Sequence, residues 1–138
     1  MKKLLSTLFA AFLLVSFFAC AAAAPAEPTP TVKPAEYHKI SAEDAKARLD
    51  SGDALILLDV RTKEEFDAGH IEGAILLPNE TILDTQPDAL PDRDAEILIY
   101  CRSGNRSAQA ANKLVAMGYT NVYDFGGIID WPYEVVTE

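Results

Sequence analysis

The feature that most constrains this chain is a short run of apolar residues, Ala54-Leu55-Ile56-Leu57-Leu58, that stops abruptly at Asp59. It shows no polar-apolar alternation, so it reads as a strand covered on both faces, the pattern of a parallel sheet. Parallel neighbours cannot be joined by hairpins and need crossover segments. The rest of the chain supplies them. Tyr37 to Ile40, Ala74 to Leu77, Ile97 to Tyr100 and Val122 to Phe125 are further strand candidates. Ser41-Ala42-Glu43-Asp44 forms a capping box for a helix with Ala45 and Leu49 on one face, ended by Gly52. Thr62-Lys63-Glu64-Glu65 opens a second short helix that closes at Gly69. Pro87 and Pro91 limit Thr81 to Leu90 to a short helix and loop. Ser107 to Met117 reads as a longer helix with Ala108, Ala111, Leu114 and Val115 inward and Gly118 as its cap.

Five strands interleaved with helices define an α/β domain, a parallel sheet between two helical layers. Sites in such sheets form beyond the carboxyl ends of the strands. Cys101 directly follows the strand ending at Tyr100, so its position marks it before its chemistry is considered.

A chain of 138 residues, 49% hydrophobic, suits one domain plus a tail. Of 12 basic residues, Lys2 and Lys3 fall at the start; without them, 10 basic residues face 21 acidic ones, a net −11. Such a surface argues against nucleic acid and against adhesion to anionic lipid. Cys20 and Cys101 are the two cysteines, and the histidines, His38 and His70, lie far apart. Neither an internal disulfide nor a metal site is expected from this inventory, and no cofactor is implied.

The first residues read as an export leader. Lys2-Lys3 give a charged start, Leu4 to Ala19 an uncharged apolar stretch, and Ala19-Cys20-Ala21 a small-residue cleavage zone. Residues 1–19 are therefore expected to be a signal peptide for a periplasmic or cell-surface location. Phe17-Phe18-Ala19-Cys20 resembles a bacterial lipoprotein box, with Phe17 where Leu is usual, and Cys20 is the candidate lipidation site. Residues 20–36 hold Pro25, Pro28, Pro30 and Pro34 and read as an extended tether before the domain at 37–138. Membrane association is expected only through a lipid on Cys20 or an uncleaved leader.

The loop Cys101-Arg102-Ser103-Gly104-Asn105-Arg106 lies between a buried strand and a helix start. Gly104 permits a tight turn in which successive backbone N–H groups converge on one centre, and the helix terminus adds partial positive charge there. Arg102 and Arg106 bring two full charges. All of these favour thiolate over thiol, so Cys101 is expected to be acidic and nucleophilic.

Tyr100-Cys101-Arg102-Ser103-Gly104-Asn105-Arg106-Ser107 resembles the active-site loop of rhodanese-domain sulfurtransferases. Leu57-Leu58-Asp59-Val60-Arg61, Glu65-Phe66 and Gly69-His70-Ile71-Glu72-Gly73-Ala74 resemble that family's amino-terminal signature. Gly118-Tyr119, Val122-Tyr123 and Gly126-Gly127 with Trp131 resemble its carboxyl-terminal end. The resemblance implies a rhodanese-like fold over roughly residues 37 to 136. It further implies that Cys101 takes sulfur from an anionic donor such as thiosulfate, becomes a persulfide, and passes the sulfur to cyanide, a thiol or a protein acceptor. Within the loop, Arg102 is the candidate for attracting the donor and Arg106 for bracing. The other signature residues are expected to be structural: Arg61 paired with Glu65, His70 holding a turn, and Trp131 as a lid on the core. A persulfide carrier serving a protein partner is the alternative. A less favoured alternative is a cysteine-dependent phosphatase: the family resembles the cell-cycle dual-specificity phosphatases in fold, but those place five residues between Cys and Arg, typically with His before the Cys. Here there are four, and Tyr100 precedes Cys101.

Overall fold

The computed structural model describes residues 36–138. The leader, Cys20 and the tether up to residue 35 lie outside the described residues. The elements follow in the order β1 (His38–Lys39), α1 (Ala42–Asp50), β2 (Leu55–Asp59), α2 (Lys63–Ala68), β3 (Ile75–Leu76), β4 (Glu96–Cys101), α3 (Asn105–Ala116) and β5 (Asn121–Gly127). Short 3-10 turns sit at Asn79–Thr81 and Ile128–Asp130. The sheet has the order β1-β5-β4-β2-β3, and every pair is parallel. β4, the strand that carries Cys101, has a neighbour on each side and helices above and below.

Successive side chains of a strand point to opposite faces, and the two halves of the core follow from that. Ile97 and Ile99 face Ala110, Ala111 and Leu114 of α3, with Leu58, Val60 and Val122 beside them. Leu98 and Tyr100 face the other way, toward Ala45 of α1, Phe125 and Trp131. The three-layer arrangement is therefore written into β4 alone. Trp131 is buried over the second half of the core, as a lid.

The helix starts are capped as their sequences indicate, with two differences. Thr62 and Glu65 make the reciprocal box, Glu65 N donating to Thr62 Oγ1 at 3.3 Å and Thr62 N to Glu65 Oε2 at 3.2 Å. At α1 only the first half forms, from Asp44 N to Ser41 Oγ at 3.0 Å. Helix α3 begins at Asn105 rather than Ser107, because left-handed Gly104 (φ 95°) takes the cap position. Its fully buried stripe is Ser107, Ala110, Ala111 and Leu114, an i, i+3, i+4, i+7 series. Ala108 and Val115 lie on the flanks of that stripe, half-buried. Between Thr81 and Leu90 no helix forms; the only turn of helix there is the 3-10 turn following Pro78.

Arg61 does not pair with Glu65. Its guanidinium turns back on Asp59, with Nη2 to Oδ2 at 2.6 Å and Nε to both carboxylate oxygens at 2.9 and 3.0 Å. Nη2 also donates to the Gly69 carbonyl at 2.7 Å. Asp59 is 0% and Arg61 5% exposed, so removing one partner strands a buried charge, a loss of about 3–5 kcal/mol for such pairs. The pair closes the β2–α2 corner and is structural, as expected, with a different partner. His70 holds the next turn: its Nδ1 lies 2.9 Å from the Phe66 carbonyl and its ring stacks on Phe66 at 3.7 Å. Its backbone exchanges two 2.8 Å hydrogen bonds with Val136, which fastens the end of the chain.

Candidate active site

Cys101 is the last residue of β4, and its side chain is 1% exposed. The chain then turns sharply through Arg102, Ser103 and left-handed Gly104 into α3. This brings Gly104 N to 3.0 Å from Cys101 Sγ. Ser107, in the first turn of α3, places Oγ 3.6 Å from the same sulfur. Burial pushes the Cys101 thiol up, but hydrogen bonds from the Ser107 backbone and side chain, and from Ser103 and Gly104, outweigh it and hold the thiol below its ordinary range. The sulfur sits in a nest of N–H and O–H dipoles at a helix N-terminus, which is how a buried thiolate is made tolerable.

The nest is supported from beneath by β5. The sheet register slips between Ile99 and Cys101, so that Cys101 lies beside Gly127. A Cβ on Gly127 would collide with the Arg102 carbonyl and lie 2.6 Å from Ser103 Cα. Gly127 has an ordinary φ of −120°, so glycine is required there by close approach rather than by backbone conformation. Gly126 does need its freedom, with φ 88°, and Asp124 Oδ1 accepts from its N–H at 3.0 Å. On the far side the Ile129 amide donates to the Arg102 carbonyl at 3.2 Å.

The two loop arginines differ sharply. Arg106 is bound in parallel by Glu65, Nη1 to Oε2 at 2.6 Å and Nη2 to Oε1 at 2.8 Å. Those bonds hold the Glu65 carboxyl down at about 2 against its own desolvation. Arg106 thus ties the loop to α2 through two of its five N–H donors. Arg102 is exposed and has no side-chain hydrogen bond or ion pair among the described residues. Ser103 and Asn105 complete the exposed rim. Sequence reasoning placed all six loop residues here and expected the loop amides, the helix start and the two arginines to favour the thiolate together; the donors that hold the thiol down are the neutral ones. It also passed over Ser107 and Glu65, whose signals were a hydroxyl one helical turn from the loop and a carboxylate in the family signature.

Comparison with known proteins agrees with this geometry. The family model described as "Rhodanese-like domain" matches residues 41–132. The thiosulfate sulfurtransferase PspE of Escherichia coli K12 is 37% identical over 73 residues, covering 53% of this chain and 70% of that protein. The thiosulfate sulfurtransferase GlpE of Pseudomonas entomophila is 39% identical over 92 residues, 67% of this chain and 81% of that one. A crystal structure of a rhodanese-related protein from Thermoplasma volcanium superposes with a TM-score of 0.63 at 32% identity, covering 74% of this chain and 100% of the other. The chain belongs to the rhodanese-like domain family.

The Glu65–Arg106 pair has a pH signature. A carboxyl depressed to about 2 contributes stability that is complete above its unfolded value and is lost as pH falls through the folded one. The difference in urea midpoint between wild type and Glu65→Gln should therefore hold steady down to about pH 5 and close toward about pH 2. A gap independent of pH over that range would show that the ion pair does not brace the loop.

Proposed function

We propose the following course for the sulfur transfer carried out by this rhodanese-like chain. Cys101 thiolate attacks the outer sulfur of thiosulfate; the Sγ–S bond forms, the sulfur–sulfur bond of thiosulfate breaks, and sulfite leaves with the electron pair. The product is a Cys101 persulfide anion held by the loop amides. Cyanide or a thiolate then attacks the terminal sulfur, and Cys101 departs as thiolate. Charge and sulfur balance in both steps, and no cofactor takes part. The reading is covalent, two-step catalysis. The observation that carries it is the buried sulfur ringed by N–H and O–H donors, which suits an anion at each stage. Thiosulfate as donor comes from the names of the two sulfurtransferase relatives.

Arg102 draws the donor in, as a rim guanidinium with no hydrogen bond or ion pair among the described residues. Ser103, Gly104 and Asn105 shape the cradle, and Arg106 braces it. Because Arg106 is committed to Glu65 and only four residues separate it from Cys101, the loop is poorly made for a tetrahedral phosphate. A protein thiol is an equally suitable acceptor for the same persulfide. The location we infer is extracytoplasmic, on the strength of Lys2-Lys3 and the apolar stretch Leu4 to Ala19. Cys20 is proposed to carry the lipid that anchors the tether of residues 20–36.

Thiosulfate should add one sulfur, roughly 32 Da, to the purified protein, and cyanide or a thiol should remove it, both seen by intact mass. Cys101→Ser should do neither while remaining folded; cyanide-dependent turnover by that variant would end the assignment. Arg102→Ala should raise KM for thiosulfate by about tenfold with little change in kcat. Arg106→Ala should instead lower kcat and the melting temperature, and the reverse pattern would exchange the two roles. Expressed in bacteria, the chain should fractionate with membranes, resist release by high salt, and lose its membrane attachment or its processing in Cys20→Ala. A soluble product beginning at Ala22 or Ala24 would establish plain secretion.

A further inference from the structure

Ser107 is 0% exposed, yet its hydroxyl is within reach of more acceptors than it has protons. Oγ lies 3.1 Å from the Gly104 carbonyl, 3.3 Å from the Gly126 carbonyl and 3.6 Å from Cys101 Sγ. A hydroxyl donates once and accepts through its lone pairs. With Cys101 as a thiol, S–H donates to Oγ and the Ser107 proton goes to a carbonyl. With Cys101 as a thiolate, the sulfur can only accept, and the Ser107 proton is the nearest side-chain donor to it. The Gly104 carbonyl also holds the Ala108 amide at 3.2 Å and belongs to the helix start. The contact to the Gly126 carbonyl is the longer of the two and the easier to give up.

We propose that Ser107 is a reversible donor to Cys101 Sγ, turning from the Gly126 carbonyl to the sulfur whenever the sulfur carries charge. The proposal rests on the Cys101 persulfide course above and adds a residue to it. In the loading step Ser107 stabilises Sγ as the attacking thiolate. Once the persulfide forms, the charge moves to the terminal sulfur, Sγ becomes a neutral bridging atom, and the Ser107 proton returns to Gly126. When the acceptor attacks the terminal sulfur, negative charge grows on Sγ again and Ser107 turns back to receive it. No proton is transferred; one hydroxyl rotates. Ser107 thus serves the same atom as nucleophile and as leaving group.

The two roles are separable. Loss of the hydroxyl lowers the thiolate fraction, which higher pH restores, but it also worsens the leaving group, which pH does not repair. A charge-assisted hydrogen bond of ordinary strength corresponds to roughly a tenfold effect on each step. In Ser107→Ala, the pH midpoint for alkylation of Cys101 by iodoacetamide should rise by about one unit. Single-turnover loading from thiosulfate should be about tenfold slow near neutral pH and recover in alkali. Unloading to cyanide should be about tenfold slow at every pH. Ser107→Thr, which keeps the hydroxyl, should hold its alkylation midpoint near that of wild type. A folded Ser107→Ala protein with an unmoved midpoint, or with unloading at the wild-type rate, would overturn the proposal. Should that variant not fold, the wild-type protein carries the test by itself. The carbonyl 13C signal of Gly126 should titrate with the sulfur and stop titrating in Cys101→Ser, and a signal indifferent to the sulfur would refute the proposal. Failure of wild type to gain sulfur from thiosulfate would instead defeat the persulfide course, a distinct result.

Discussion

Everything at the carboxyl edge of this sheet depends on how closely two stretches of backbone approach each other. The loop after β4 rests on Gly126 and Gly127 of β5 with no side chain between them, so tightly that a single added carbon at Gly127 would overlap the Arg102 carbonyl. The approach fixes the loop from below, and the Ile129 amide fixes the same carbonyl from the side. Arg106 and Glu65 fix it from α2. Three different elements therefore converge on six residues. A loop held in this way has its N–H groups aimed before any ligand arrives, which is the condition for electrostatic stabilisation without reorganisation.

Much of the fold could be read from residue order alone, because burial on both faces leaves a plain trace: unbroken apolar runs such as Ile97 to Tyr100 between capped helices. The five strands, their helical crossovers and the position of Cys101 at a strand end all follow from local pattern. What could not be read was pairing through space. Arg61 had Glu65 within reach along the chain, and local spacing favoured that pair. The fold instead turns Arg61 toward Asp59 at the end of its own strand and leaves Glu65 to an arginine 41 positions away. The inward face of α3 was misjudged at Ala108 for a related reason, since small alanines occupy neighbouring faces of that helix and periodicity cannot choose between them. Gly126-Gly127 was visible as a pair of turn residues, but its use as a bed for another loop depends on a register slip that sequence does not display.

The balance of forces on Cys101 also differs from what charge counting suggests. A nearby guanidinium is an easy explanation for an acidic thiol, and the loop has two. One is neutralised by its carboxylate partner and the other is exposed, where water weakens its field. Dipoles a few ångströms from the sulfur do most of the work of lowering its pKa, against the cost of burial. Such donors are insensitive to salt. An acidic domain can therefore favour a thiolate in its interior without relying on a net positive surface.

The depth of Cys101 has a further bearing on the protein's durability. Joining two copies through this atom would require their α-carbons to come within roughly 7 Å, and a thiol 1% exposed beneath its own loop forbids that approach while the domain stays folded. No second thiol exists in the described domain to form an internal bond. The burial that costs the thiolate some solvation thus screens it from covalent dimerisation.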